Sequence, residues 1–363
     1  MLRIIDRYLL RGFLLYLLLG LIAFIGIYVI VNLFEKIDTF VDNKASLHAI
    51  LFYYIYAIPV IAVQVLPVAM LLGAILSLGQ LRKFNEITAM QASGISPLRI
   101  TSPLLVCALV ITAAAYVLSE KVMPAAYDRQ TEIMEVKIKK CRPAAARGRS
   151  GIYYMGRCGR VYVAQAFSPQ PPVLTDLSVQ HFRSEASRQQ LWRRVDARNA
   201  RWEAGTWCMK DGFVRIFSGD EEVAAAFRTY CDSRYDEQPD EFAHLKNDPL
   251  YMSRQQLKDY IQRIRESGAR VQEYLVNYHL KAAFPLANFI MVLLGACLSL
   301  RIVRGTLALG FGISMSLGFT YYGFIRAGQA LGCTGTVPPF LAAWLGNLIF
   351  LVVGVFLFWK MNR

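Results

Sequence analysis

NEITAMQASGIS, residues 85 to 96, is a short polar stretch between two long apolar ones. Residues 47 to 81 before it and residues 100 to 119 after it contain no Asp, Glu, Lys or Arg. Because about 20 apolar residues in a helix cross the hydrocarbon core of a bilayer, each flanking stretch is long enough to span a membrane. The stretch 85 to 96 is therefore predicted to connect two spans on one side of the membrane.

Four more charge-free stretches raise the predicted number of spans to six. The six stretches are residues 12 to 34, 47 to 81, 100 to 119, 282 to 300, 305 to 325 and 327 to 359. The chain has 363 residues and a mean hydropathy of +0.35. This length leaves room for one folded domain outside the bundle of spans.

The basic residues next to the spans predict the orientation of the chain, because cytoplasmic loops are enriched in Lys and Arg. With six spans, the basic residues of both termini and of the loops after spans two and four fall on one side. They are Arg3, Arg7, Arg11, Arg82, Lys83, Arg99, Arg301, Arg304, Lys360 and Arg363. Both termini and residues 85 to 96 are therefore predicted to be cytoplasmic.

The insert between spans three and four has the composition of a β domain. Period-two alternation appears in GRVYVAQAF (159 to 167) and DGFVRIFSG (211 to 219). LTDLSVQHF (174 to 182) and QQLWRRVDARNARWEAGTW (189 to 207) are further candidate strands. The insert is therefore predicted to be an all-β sandwich or jelly roll on the outer side of the membrane.

A helix over residues 253 to 269 is predicted to lead from the β domain back to the membrane. Ser253 is its expected N-cap and Gly268 its expected C-cap. Its apolar stripe comprises Leu257, Ile261 and Ile264.

The fold class is thus a polytopic α-helical membrane protein with six transmembrane helices and an inserted all-β, jellyroll-like domain. Residues 1 to 124 would hold spans one to three, residues 125 to 272 the β domain and its return helix, and residues 273 to 363 spans four to six.

The stretch 85 to 96 itself is predicted to form a capped helix over about residues 84 to 95. Asn85 is a favourable N-cap, Glu86 suits the positive end of the helix dipole and Gly94 can end the helix. Ser96 and Pro97 would then begin the next helix.

A helix this short is marginal in water, so its apolar side needs lipid or a protein partner. Phe84, Ile87 and Met90 are expected near that side. Two hypotheses fit: a connector lying on the membrane surface, or a docking helix for a soluble protein. The sequence has no G-x-x-x-x-G-K-[ST] phosphate loop, so energy from ATP would have to come from a partner, which favours docking.

Other functional classes fit the sequence less well. The formal net charge is +14, but the basic residues flank spans or are scattered, and no nucleic-acid-binding motif is present. Anionic lipid head groups are the better match. A membrane receptor or scaffold that presents the β domain is an alternative to transport. Such a protein would need only one span as an anchor, so six spans favour transport.

A catalytic site and a metal site are not predicted. No His, Asp or Glu lies in the middle of a predicted span, which argues against an intramembrane enzyme. The seven cysteines include no C-x-x-C pair. Cys141, Cys158, Cys208 and Cys231 lie in the external insert, where three pairings and the free form are all open.

Several stretches resemble a known family of membrane proteins. They are IDRYLLR (5 to 11), LPVAMLLGAILSLGQL (66 to 81), NEITAMQASGIS, and GFTYYGFIRAGQALG (318 to 332) followed by VPP (337 to 339). Through these stretches the chain resembles the LptF/LptG permeases of lipopolysaccharide export. The resemblance covers essentially the whole chain. IDRY, MQASG and VPP resemble the LptG branch, whereas EIT is closer to LptF.

The resemblance implies a multi-pass protein of the Gram-negative inner membrane with a periplasmic β-jellyroll. It also implies a heterodimer with an LptF-type paralogue, two copies of an LptB-type ATPase and an LptC-type membrane protein. This complex would extract lipopolysaccharide from the outer leaflet of the inner membrane. The chain itself is expected to bind no cofactor, because ATP and Mg²⁺ would belong to the ATPase.

The resemblance also implies two sets of site residues. Glu86 matches a glutamate of the family's coupling helix, and contacts with the ATPase are expected at Arg82, Phe84, Glu86, Ile87 and Met90. Spans one and five resemble gate elements beside the lipid cavity.

Some relatives carry a lysine late in span one that meets lipid phosphates; Asn32 occupies that register here, and Lys36 lies one turn further out. Lys36 is expected either to bind phosphate or to snorkel to the interface. Arg326 is a candidate buried charge or an interfacial arginine. Tyr321 completes the substrate or gate candidates.

Overall fold

The computed structural model describes residues 4–140, 149–156, 160–169, 171–185, 188–218, 221–243, 251–267, 271–301 and 307–361. The chain divides into two compact units. We call Met1–Gln130 with Leu275–Arg363 the membrane unit, and Thr131–Tyr274 the β unit.

The membrane unit is built from helices that follow the predicted apolar stretches. In chain order they are α1 (Ile4–Asp42), α2 (Leu47–Lys83), α3 (Glu86–Ala92), α4 (Pro97–Val117), α5 (Met123–Glu132), α8 (Gln272–Arg301), α9 (Leu307–Cys333) and α10 (Pro339–Met361). Two π-helical segments, Leu118–Val122 and Ile133–Ile138, extend α4 and α5 into one continuous helix to Ile138.

Five of the described helices are long and apolar enough to cross a membrane. They are Ile4–Asp42, Leu47–Lys83, Pro97–Ile138, Gln272–Leu300 and Pro339–Lys360. The predicted fifth span also forms a helix, the 27-residue α9, which is not among these five. The polytopic membrane fold with an inserted β domain is confirmed, and the count of six spans stays a prediction.

The bundle is packed around α2 and α8. In the most apolar window of α2, 72% of the residues are buried, and in that of α8 78%, compared with 17% in α1. The outward side of α1 is therefore exposed on this chain. Close packing requires small residues: a Cβ at Gly73 of α2 would lie 3.1 Å from the backbone of Leu17 in α1.

The β unit contains one six-stranded antiparallel sheet. Its strands are β1 (Arg149–Met155), β2 (Arg160–Pro169), β3 (Pro172–Glu185), β4 (Arg188–Glu203), β5 (Thr206–Ser218) and β6 (Glu221–Cys231), in the order β1-β2-β3-β4-β5-β6. The four stretches predicted as strands are confirmed. A two-residue turn, Ala204–Gly205 with φ of 49° and 83°, joins β4 to β5, as a type I′ hairpin requires.

The described strands form a meander within the predicted all-β domain. Each strand pairs only with its chain neighbours, whereas a jelly roll contains Greek-key crossings. The short turns explain the difference, because a strand joined to the next by a tight turn must pair with it.

The sheet carries a line at which strands β2, β3, β4 and β5 change the phase of their side chains. Buried residues on either side of this line are three apart rather than two, as with Ala164 and Phe167 in β2 or Leu174 and Leu177 in β3. By the pairing register the line passes through Gly151, Gln165, Asp176, Arg198, Asp211 and Arg228, all of which are exposed. We call this line the crease.

Backbone conformation explains the crease. The residues at the crease have positive φ in alternate strands: Gly151 (67°) in β1, Asp176 (48°) in β3 and Asp211 (52°) in β5. A residue in this conformation interrupts the pleat and bends the strand. Since the bends lie opposite one another, the sheet can fold along the crease and keep its strand pairing.

Residues 232 to 243, which follow β6, cover the inner face of the sheet, and we call them the strap. The strap ends in a short helix, α6 (Pro239–Ala243). Phe242 is fully buried and contacts aromatic rings on both sides of the crease, including Trp207 at 5.4 Å and Tyr154 at 4.6 Å between centroids. The strap therefore completes the core that the two halves of the sheet share.

An ion pair fastens the strap to the sheet. The carboxylate of Glu237 lies 3.1 Å from Nη2 of Arg160, and both side chains are buried, with exposures of 0% and 7%. The Tyr162 hydroxyl also donates to Glu237, and the Trp207 indole donates to the Glu237 carbonyl oxygen at 2.8 Å. The charge of Glu237 is thus compensated inside the core.

The return helix α7 (Arg254–Ser267) forms as predicted. The Ser253 hydroxyl accepts from the backbone N–H of Gln256 at 3.2 Å, and the Gln256 side chain accepts from the N–H of Ser253 at 2.9 Å. This is a capping box. The stripe of Leu257, Ile261 and Ile264 is buried, which confirms it, whereas Gly268 lies outside the described residues.

Because His181 is buried, the stability of the β unit should depend on pH. Desolvation, together with Arg193 and Arg160, lowers the pKa of His181 to about 4. The unfolded chain therefore takes up a proton on this histidine at higher pH than the folded chain. We expect the free energy of unfolding to fall by about 1–3 kcal/mol between pH 6.5 and pH 4, since one pKa unit corresponds to about 1.4 kcal/mol.

Unfolding of the full chain in detergent, followed by near-UV circular dichroism across this pH range, measures the effect. His181→Gln should flatten the dependence, because glutamine does not titrate. An equally steep dependence in the variant would refute this assignment.

Candidate functional site

The short helix between the second and third spans is α3, and its boundaries differ in part from the predicted caps. Asn85 does not cap the helix: its φ is 60°, in the left-handed region, and its side chain makes no cap hydrogen bond. Asparagine tolerates this conformation, which lets the chain turn sharply after α2. Gly94 (φ 84°) ends the segment, and the Ser96 hydroxyl caps α4 with Pro97 in its first turn, as predicted.

The first turns of α1 hold this segment from the side. The Tyr8 hydroxyl donates to the carboxylate of Glu86 at 2.9 Å, on the exposed surface. Asp6, whose side chain is only 8% exposed, forms an ion pair with Arg99 at the start of α4, at 2.8 Å. These two contacts tie α3 and α4 to α1.

The predicted coupling residues do not share one face. Ile87 is 1% exposed and belongs to the bundle core, against which Met90 also packs, so both support α3 from inside. Phe84 lies in the turn before α3 and is 59% exposed. Glu86 and Arg82 are half-buried. Phe84 and the outer side of α3 are therefore the most exposed parts of this segment.

At the far end of α1, the two candidates for lipid contact bind tyrosines of α2. The Lys36 ammonium donates to the Tyr53 hydroxyl and lies 4.8 Å from the centre of that ring. The Tyr54 hydroxyl lies 3.4 Å from the side-chain oxygen of Asn32. Lys36 thus turns towards α2 and places a positive charge beside two buried tyrosines.

Tyr321 has a packing role. Its buried hydroxyl donates to Asn347 of α10 at 2.7 Å, and the Asn347 amide donates to the carbonyl oxygen of Ala283 in α8 at 2.6 Å. Tyr321 therefore links α8, α9 and α10 and is not free to contact a substrate in this conformation.

Arg326 is not buried within this chain. Its side chain is exposed and donates to Gln329 at 3.1 Å, one turn away on α9. Gln329 in turn donates to Asn277 of α8 at 3.3 Å. This exposure agrees with the other hypothesis, that Arg326 lies at the membrane interface.

Sequence reasoning missed Asp6, Tyr8 and Asn347 as parts of these contacts. Both Asp6 and Tyr8 belong to IDRYLLR. Asp6 lies in the first turn of α1, where an acid is ordinarily explained by the helix dipole and needs no distant partner. Their partners are 93 and 78 residues away. Asn347 in the middle of an apolar span was the one available signal, since a buried amide needs a partner.

A disulfide joins β5 to β6. Cys208 and Cys231, which face each other across β5 and β6 with Cα atoms 4.3 Å apart, form a disulfide. Cys141 and Cys158 lie outside the described residues. In the described part of the chain, no group of three or more His, Cys, Asp or Glu side chains could hold a metal ion.

Comparison with known proteins identifies the family. A sequence model described as "Lipopolysaccharide export system permease LptF/LptG" matches residues 7–360. The chain is similar to a lipopolysaccharide export system permease protein LptG of Escherichia coli (strain K12), 23% identical over 304 residues, with 80% of each chain covered. It is also similar to the LptG of Haemophilus influenzae, 22% identical over 377 residues, covering 100% of this chain and 99% of the relative.

The match spans nearly the whole chain, including both the apolar helices and the inserted sheet. The relatives are named as permeases, which are transport proteins, so the expectation that the chain is not an enzyme is confirmed. The chain belongs to the LptF/LptG family of lipopolysaccharide export system permeases.

Proposed function

We propose that this chain is an LptG-type permease subunit of an ATP-driven exporter in the inner membrane of a Gram-negative bacterium. The exporter would extract lipopolysaccharide from the outer leaflet of that membrane. The chain would pair with an LptF-type permease, receive energy from two copies of an LptB-type ATPase and pass lipid to an LptC-type protein. The distribution of Lys and Arg supports cytoplasmic termini and a periplasmic β unit.

The energetics of lipid extraction support a partner ATPase and an enclosed path. Moving hydrocarbon into water costs about 0.8 kcal/mol per CH₂ group. A lipid with several acyl chains would therefore cost on the order of tens of kcal/mol if exposed. The acyl chains must stay on apolar surfaces, and ATP is needed only to open and close the route.

The observation that carries the proposal is the way α3 is held. A seven-residue helix has no stability of its own, but α3 is fixed by buried Ile87 and by the contact of Glu86 with Tyr8. A force on α3 would therefore be transmitted to α1. Because α1 corresponds to a gate element in the resemblance, ATP binding by an ATPase docked on α3 would open the lipid entrance.

Exposed Phe84 is the residue through which a partner would be recognised. Its ring is 59% exposed beside half-buried Arg82 and Glu86. Aromatic residues and arginine are enriched in protein interfaces. Removing the ring should weaken docking and leave the bundle intact, since the ring is outside the core.

The test is gentle detergent extraction of the tagged chain, followed by identification of co-purifying proteins. We expect a small ATPase and a second six-span permease with the wild type. Phe84→Ala and Glu86→Ala should each reduce recovery of the ATPase at least about tenfold, which corresponds to about 1.4 kcal/mol. The second permease should still be recovered.

Tyr8→Phe is the matched control for Glu86→Ala. It removes the hydrogen bond between α1 and α3 but leaves the Glu86 carboxylate for a partner. We expect normal recovery of the ATPase with this variant and weaker coupling of ATP hydrolysis to lipid release. If the wild type emerges alone, and cross-linking from position 84 captures no ATPase, the docking role of α3 is wrong.

A further inference from the structure

A row of side chains on the inner face of the sheet changes from basic to apolar. The register aligns Arg160, His181, Arg193, Ile216 and Val223 across β2 to β6, and directly opposed residues point to the same face. The three basic side chains are 6%, 7% and 9% exposed, whereas Ile216 is 45% and Val223 64% exposed. The row therefore begins in the core and opens at the edge of the sheet.

Arg193 lacks the compensation that Arg160 has. Arg160 lies 3.1 Å from the carboxylate of Glu237. Arg193 donates to the Tyr230 hydroxyl at 2.7 Å, but no carboxylate of the described residues lies within 4.0 Å of its guanidinium group. Its Nε is buried and has no acceptor among the described residues. A buried cation of this kind is costly unless an anion neutralises it.

The surroundings of Arg193 favour an anion. His181 is neutral at physiological pH, since burial and the neighbouring arginines lower its pKa to about 4. Its Nε2 lies 3.0 Å from the Tyr235 hydroxyl. Asp232, which accepts from the Tyr230 hydroxyl at 2.7 Å, is already paired with Arg234 at 2.5 Å. The charge of Arg193 is therefore the part of this cluster that is not neutralised by a direct partner.

The chemistry of the row defines its ligand. A guanidinium group matches the geometry of a phosphate and binds it through parallel N–H donors. The exposed Ile216 and Val223 continue the same row and offer apolar surface to hydrocarbon. A free phosphate ion would contact Arg193 but would leave Ile216 and Val223 uncovered.

We propose that Arg193, beside His181 and Tyr230, binds the phosphate group of an acylated ligand whose hydrocarbon lies along Ile216 and Val223. The site would read the head group of a phosphorylated lipid while the lipid crosses the β unit. This inference rests on the proposed function, because export would bring such a lipid to the inner face of the sheet.

The test uses the full chain in detergent and two probes with the same acyl chain, lysophosphatidic acid and monoacylglycerol. Isothermal titration calorimetry gives Kd for each. We expect the phosphorylated probe to bind at least about tenfold more tightly. Arg193→Met should remove this preference.

Arg194→Met is the matched control, because it removes the same charge one residue along the strand. Arg194 pairs with Asp196 at 2.8 Å and with Ser178 at 3.0 Å, on the opposite face of the sheet. The Arg194→Met variant should bind each probe with the same Kd as the wild type. Arg193→Lys, which keeps the charge but not the fork of donors, should retain an intermediate preference.

Equal Kd values for the two probes in the wild type would overturn the inference, and this comparison needs no variant. An unchanged preference in folded Arg193→Met would overturn it as well. In either case, recovery of the ATPase with the wild-type chain would show that the proposed function stands without this site. If the ATPase is absent but the phosphorylated probe still binds more tightly, the phosphate site stands and the proposed function fails.

Discussion

Replacing Glu237 by alanine should destabilise the β unit more than any neighbouring substitution. The variant leaves Arg160, whose side chain is 7% exposed, without its closest carboxylate. It also removes the acceptor of the Tyr162 hydroxyl. Breaking a buried ion pair from one side costs about 3–5 kcal/mol, so the melting temperature should fall by on the order of 10 °C.

Asp236→Asn provides the comparison within the same strap. Asp236 also approaches Arg160, at 3.6 Å, but its side chain is 49% exposed. Removing a solvated charge costs about 0–1 kcal/mol. Thermal unfolding of the two variants, followed by near-UV circular dichroism, should therefore separate them clearly. Similar losses in both would mean that Glu237 is not the residue that fastens the strap.

Gly328→Ala is expected to be the most damaging small substitution in the membrane unit. A Cβ at Gly328 of α9 would lie 2.3 Å from the backbone carbonyl oxygen of Ala342 in α10. The backbone of a helix cannot move aside locally, so the two helices must separate. Overpacking of this kind costs about 1–3 kcal/mol or more, and here we expect the upper end.

Gly323→Ala, five residues earlier in α9, makes the same chemical change where a Cβ would meet nothing within 4 Å. It should be neutral or stabilising by up to about 1 kcal/mol, because alanine favours the helix. The measurement is the fraction of monodisperse protein that survives heating in detergent. If the two variants survive heating equally, close contact between α9 and α10 is not limiting for stability.

Local pattern was sufficient to predict most elements of the fold. Charge-free stretches marked the long helices, and alternation marked β2 and β5. These predictions succeeded because span length and strand pleat depend on nearest neighbours along the chain. The meander was not foreseen, since strand order is fixed by turns whose geometry a pattern of alternation does not contain.

The site was less predictable, because its contacts join distant parts of the chain. Ile87 was correctly expected on the apolar side of its helix, but the sequence could not tell whether that side met a partner or the protein's own core. Arg326 lies beside an apolar stretch, and only the three-dimensional packing shows that it is exposed. Glu237 stands in the polar segment DSRYDEQPDEF, which has the composition of a surface loop.

The crease has a consequence for how this domain can vary in evolution. Because bends in neighbouring strands lie opposite one another, from Gly151 to Arg228, their positions depend on one another. Adding or deleting one residue within a strand would shift its bend out of line and turn its inward side chains outward. Changes in length should therefore be confined to the turns between the strands.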